Sequence, residues 1–87
     1  MNDEKIIELF FARSEQAIGA LDGKYGKVLH ALSFKILNNH QDAEECVNDA
    51  YLAAWNAIPP SRPEPLFAFV CKIVRNISLK RYEQNTA

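Results

Sequence analysis

The chain has 87 residues, of which 48% are apolar and 24% charged, and a formal net charge of −1. One domain fits in this length, and the apolar share excludes a disordered tail. A globally basic nucleic-acid binder is excluded as well, although a near-zero total can hide local segregation of charge. No apolar run approaches the roughly 18 residues of a membrane span. The acidic start Met1-Asn2-Asp3-Glu4 lacks the basic-then-apolar layout of a signal peptide. The expectation is a cytoplasmic protein without membrane contact. Cys46 and Cys71 have no C-x-x-C partner, and with His30 and His40 they show no zinc-site spacing. There is no glycine-rich phosphate loop, nucleophile elbow or H-E-x-x-H. The expectation is therefore no metal, no cofactor and no catalytic residue.

Apolar residues recur at three and four, the helical period, and the predicted fold is all-α: a small compact bundle of three to four helices. The first helix spans about 3–13, with Asn2 or Asp3 as its cap. Ile6, Leu9 and Phe10 form one stripe and Ile7 and Phe11 another, so this helix should be sandwiched or meet a partner. The second spans about 14–37, with Ile18, Leu21, Tyr25, Val28, Leu29, Leu32 and Ile36 in one arc. Gly19, Gly23 and Gly26 imply a bend near 22–26 or a close backbone approach. His30, Phe34 and Leu37 make a minor stripe.

Asn38-Asn39-His40-Gln41 is a turn, with Asn39 as the cap of a third helix over about 40–58. Ala43, Cys46, Val47, Ala50, Tyr51, Ala54 and Ile58 share its buried arc, with Trp55 at the edge. Four prolines within 59–65 form a rigid loop. The fourth helix spans about 65–82, with Leu66, Phe69, Val70, Ile73, Val74 and Ile77 inward. Phe67 flanks that stripe or is exposed. The tail from Glu83 to Ala87 carries no packing signal and should fray.

The charges are unevenly placed. Residues 42–49 hold Asp42, Glu44, Glu45 and Asp49 and no base, whereas 72–81 hold Lys72, Arg75, Lys80 and Arg81 and no acid. Asp42, Glu45, Asp49 and Asn56 lie opposite the buried arc of the third helix, with Leu52 among them. This is either an interface, with charges steering and an apolar centre anchoring, or a solvated face. On the fourth helix Lys72, Arg75, Leu79 and Tyr82 face outward, with Asn76 at the border. Such a face suits phosphate, base-edge and stacking contacts, or simply places cations near a helix C-terminus.

The order of these features resembles region 2 of a bacterial RNA polymerase sigma factor of the extracytoplasmic-function type. The similarity runs through Tyr25-Gly26, Leu29, Ile36-Leu37-Asn38-Asn39, Asp42-Ala43-Glu44-Glu45, Asn48-Asp49-Ala50-Tyr51-Leu52 and Trp55. It continues through Ile58-Pro59-Pro60-Ser61-Arg62-Pro63 and Lys72-Ile73-Val74-Arg75-Asn76, and covers roughly 14–82. The resemblance implies that Asp42, Glu45, Asn48, Asp49 and Leu52 dock on the coiled coil of the β′ subunit of core RNA polymerase. It implies that Ser61, Arg62 and Pro63 in the loop, with Lys72, Arg75 and Asn76 on the helix, recognise the promoter minus-ten element. They would hold its melted non-template strand, with Lys80 and Arg81 on phosphates.

Four positions depart from the family pattern. Lys80 and Glu83 stand where an acid and a base are common, Phe69 replaces a frequent Trp, and Asn48 shortens a usual Gln. The alternative is a sigma-like helical module that binds polymerase or a regulator without sequence-specific DNA activity. The first helix and the His30, Phe34 and Leu37 stripe could meet an anti-sigma factor or a second domain, but internal packing is preferred. Nothing after Tyr82 resembles the family's second, helix-turn-helix domain, so residues 1–87 are expected to be a single region 2 domain, the N-terminal part of a longer factor.

Overall fold

A computed structural model of the chain describes residues 1–86. Four helices follow in order: α1 (Asp3–Phe11), α2 (Ala17–Leu37), α3 (His40–Ala57) and α4 (Leu66–Thr86). Helices α2, α3 and α4 pack against one another, and α1 lies on α2. Tyr51 of α3 bonds Asp22 of α2, and His40 bonds His30, so these two helices run antiparallel. Phe67 stacks near Tyr25 and Ser78 bonds Ser33, so α4 runs parallel to α2. Consequently α4 is antiparallel to α3, and its end lies beside the start of α3.

The caps follow the polar residues of the sequence. The Asn2 side chain accepts from the Lys5 amide, and that of Asn39 accepts from the Asp42 amide at 2.9 Å. Asn38 ends α2 in the left-handed conformation, which asparagine tolerates better than most residues. One Asn-Asn pair thus stops one helix and starts the next.

The core comprises Ile6, Ile7 and Phe10 of α1, Leu21 and Leu29 of α2, the predicted arc of α3 through Ile58, and Leu66, Val70 and Val74 of α4. Trp55 sits at the core edge, and Phe67 is half-buried against Tyr25 with ring centroids 4.7 Å apart. Val28, expected inward, is 52% exposed. Beside the apolar arc of α2, Ser33, which the sequence reading did not place, is fully buried and shares a 2.7 Å hydrogen bond with buried Ser78. Small hydroxyls let α2 and α4 approach, and each satisfies the other. Burial pushes the Cys46 and Cys71 thiols up from their ordinary value, as suits small apolar fillers.

Two expectations are corrected. Helix α2 is continuous through its glycines, and none of them has another backbone among its nearest atoms, so the close backbone approach is not made. The space at Gly26 is taken by side chains, since a Cβ there would lie 2.5 Å from Asp22 Oδ1 and 3.5 Å from the Tyr51 hydroxyl. The tail does not fray over residues 83–86. It continues α4, and Asn85 Nδ2 donates to Asp42 Oδ2 at 3.0 Å. Ala87 lies outside the described residues. Among the described residues no helix is long and apolar enough to cross a membrane.

Candidate polymerase and nucleic-acid surfaces

On the outward side of α3, Glu44, Glu45, Asn48, Asp49 and Asn56 are exposed, and Leu52 is 57% exposed among them. Asn48, Asp49 and Leu52 therefore share one open patch, and Asp49 has no ion-pair partner among the described residues. Asp42 and Glu45 differ. Arg81 Nη1 lies 3.2 Å from Asp42 Oδ1 and 3.1 Å from Glu45 Oε1, and Asn85 holds the other oxygen of Asp42. Arg81 was expected among the phosphate contacts; in the fold it joins α4 to the first turns of α3. The antiparallel packing of the two helices explains this, because it brings the basic end of one beside the acidic start of the other. The expected separation of acids from bases holds for Asp49 on one side and Lys72, Arg75 and Lys80 on the other. It does not hold for Asp42, Glu45 and Arg81.

Lys72, Arg75, Asn76 and Lys80 are exposed along α4, beside Leu79 and Tyr82, which are 37% and 49% exposed. No carboxylate of the described residues pairs with these three bases. The proline loop leads into the start of α4 from Ile58, which is fully buried. The Ser61 amide donates to the Ala57 carbonyl at 2.9 Å, so the first loop residues fold back on the end of α3. Ser61 and Arg62 are exposed and Pro63 is half-buried. A cleft of about 400 Å³ separates Arg62, Pro63 and Glu64 from Asp3, Glu4 and Ile7 of α1.

The other candidate surfaces are closed in part, with Phe11 of α1 still 37% exposed. Phe34 stacks on His40 with centroids 4.1 Å apart, and His30 Nε2 lies 3.2 Å from His40 Nδ1. The minor stripe of α2 thus packs on the start of α3. On α1, the Arg62 guanidinium lies 4.9 Å over the Phe11 ring. Sequence reasoning missed Arg13, whose Nη1 donates to the carbonyls of Trp55 and Ile58 at 2.8 and 2.7 Å. Its only sequence signal is a base between two helical patterns. Also missed were the Tyr51–Asp22 bond and the anchoring of Asp3 by Lys24 and Tyr25.

Fold and surfaces together define a small helical bundle with an acidic apolar-centred patch on one helix and a basic aromatic one on another. The sequence model of the family Sigma-70 region 2 matches residues 21–87, which include nearly all of α2 and the whole of α3, the loop and α4. The chain belongs to that family and has a sigma-factor role in polymerase binding and promoter recognition. No curated protein and no solved structure matches it. The first helix and the turn after it precede the matched segment.

Proposed function

We propose that this chain is region 2 of an extracytoplasmic-function-type sigma factor, working with cytoplasmic RNA polymerase. It docks on the β′ coiled coil through Asn48, Asp49 and Leu52, with Asp42 and Glu45 at the rim of that contact. It captures the melted minus-ten strand with Ser61, Arg62 and Pro63 and holds it along Lys72, Arg75, Asn76 and Lys80. The chemistry of transcription belongs to the polymerase, and this domain supplies binding energy alone. The observation that carries the reading is the open Asn48–Asp49–Leu52 patch within a family match. An exposed leucine ringed by an unpaired carboxylate and an amide can be desolvated by a basic partner helix, whose guanidinium groups then form charge-assisted bonds.

The test is binding to a β′ coiled-coil fragment. Asp49→Lys places like charges across the contact and is expected to abolish it. Asp42→Asn is expected to weaken it only a few-fold, because Arg81 already neutralises Asp42 in the free domain. Normal binding by Asp49→Lys would remove the acidic patch from the docking site.

The second reading, a module that binds polymerase or a regulator such as an anti-sigma factor without reading DNA, draws on Arg81. One of the bases assigned to phosphate is spent inside the monomer. Titration of labelled single-stranded oligonucleotides separates the two, since base-independent or absent binding favours the second.

A further inference from the structure

Helix α1 stops in a Schellman arrangement: the Ser14 amide donates to Leu9 O at 2.9 Å and the Arg13 amide to Phe10 O at 3.0 Å. The residue at the left-handed position of this motif is usually glycine, which alone escapes the steric cost of a Cβ there. Here it is Arg13, at φ 55. A helix stop alone does not call for an arginine, and the side chain shows a second role.

Helix α3 runs into Pro59 and Pro60, which have no amide hydrogen. The carbonyl of Trp55, which the amide of residue 59 would normally meet, is therefore left without its helical donor. Arg13 Nη1 supplies one, donating to Trp55 O at 2.8 Å and to Ile58 O at 2.7 Å, with its Cζ 3.7 Å from the centre of the indole ring. Two residues earlier, the Phe11 ring lies under the Arg62 guanidinium at 4.9 Å. The turn between α1 and α2 thus grips the proline loop twice, at the backbone where it starts and at the side chain near its middle.

We infer that Phe11 and Arg13 are positioning residues for the proline loop, fixing the pose in which Ser61, Arg62 and Pro63 meet an unpaired base. This rests on the reading of that loop as the base-capturing element. Neither residue need touch DNA. Their effect is that the loop is held in shape before the strand arrives, so less freedom is lost on binding.

The deciding variant is Arg13→Gly, because glycine suits the backbone of this turn and removes only the side chain. Three readouts are taken. The first is binding to the β′ coiled-coil fragment. The second is emission and acrylamide quenching of Trp55, the sole tryptophan. The third is base preference, measured by selection from a random single-stranded pool on the chain bound to core polymerase.

Arg13→Gly is expected to fold, to bind the fragment as the unaltered chain does, and to expose Trp55 to quencher. Its base preference should fall about tenfold or more at the position the loop reads, about 1.4 kcal/mol of discrimination. Unchanged quenching or unchanged base preference would overturn the inference. If the unaltered chain itself selects no base, the reading of the loop fails and the inference with it. Should Arg13→Gly not fold, Phe11→Leu, which leaves the turn backbone alone and contacts Arg62 rather than Trp55, decides by fragment binding and base preference, and an unchanged base preference overturns the inference.

Discussion

At the scale of single residues, hydrogen-bonded ionisable groups tie the helices together, and two of them make stability depend on pH. Asp3 accepts from Lys24 Nζ at 2.7 Å and from the Tyr25 hydroxyl at 2.7 and 2.9 Å. The bond from Lys24, and then that from Tyr25, hold its carboxyl below the ordinary 3.8. A carboxyl depressed by folding binds fewer protons in the folded state, so its stabilisation is complete above its unfolded value. It is lost as pH falls through the depressed folded value. Asp3→Asn is therefore expected to melt below the unaltered chain near neutral pH, and the gap should close in acid below 3.8. Thermal melts over a pH series check this, and a gap independent of pH would mean that the carboxylate does not hold α1.

At the alkaline end the sign reverses. Burial, then the bond to Asp22, raises the Tyr51 phenol well above its ordinary 10. Its contribution is complete below 10 and is lost as pH rises through the raised folded value.

At the scale of elements, the glycines of α2 show which part of a helix a sequence discloses. The three glycines suggested a bend or a close backbone approach, because the helical period alone does not show what a missing side chain leaves room for. In the fold, Gly23 faces open space, while Gly26 leaves room for the 2.6 Å bond from the Tyr51 hydroxyl to Asp22. Gly23→Ala should raise stability by roughly 0.5–1 kcal/mol through the helix backbone alone. Gly26→Ala gains the same backbone amount, but its Cβ displaces Asp22 and strands a mostly buried hydroxyl at a cost of about 1–3 kcal/mol. The two alanines are thus expected to move the denaturation midpoint in opposite directions, and equal shifts would show that the Tyr51–Asp22 bond contributes nothing. The caps at Asn2 and Asn39 and the buried arc of α3 were legible because they depend on neighbours within one turn. The order of the last turn of α4 was not, because Asn85 and Asp42 are 43 residues apart in the chain.

At the scale of the whole molecule, a net charge of −1 conceals two faces of opposite sign, and local charge runs were enough to find both. Which members of each run remain open to a partner depends on helix packing. Arg81 reads as one more outward base until α3 and α4 are seen to be antiparallel, whereupon it closes over Asp42 and Glu45. The faces left open should be separable by mutation. Asp49→Lys is expected to lose the β′ coiled-coil fragment while binding single-stranded DNA as before. Lys72→Glu with Arg75→Glu should keep the fragment and lose DNA. The milder Lys72→Ala with Arg75→Ala, which removes two phosphate contacts without reversing charge, should lessen the slope of log affinity against log salt for single-stranded DNA by about 1.4. Arg81→Ala sharpens the comparison: a base already held by two carboxylates contributes little to that slope, so its removal should leave the slope nearly unchanged. A loss of slope in Arg81→Ala equal to that for one of the helix bases would mean that DNA draws Arg81 away from α3. Loss of both partners by every variant would mean that the two faces are one surface.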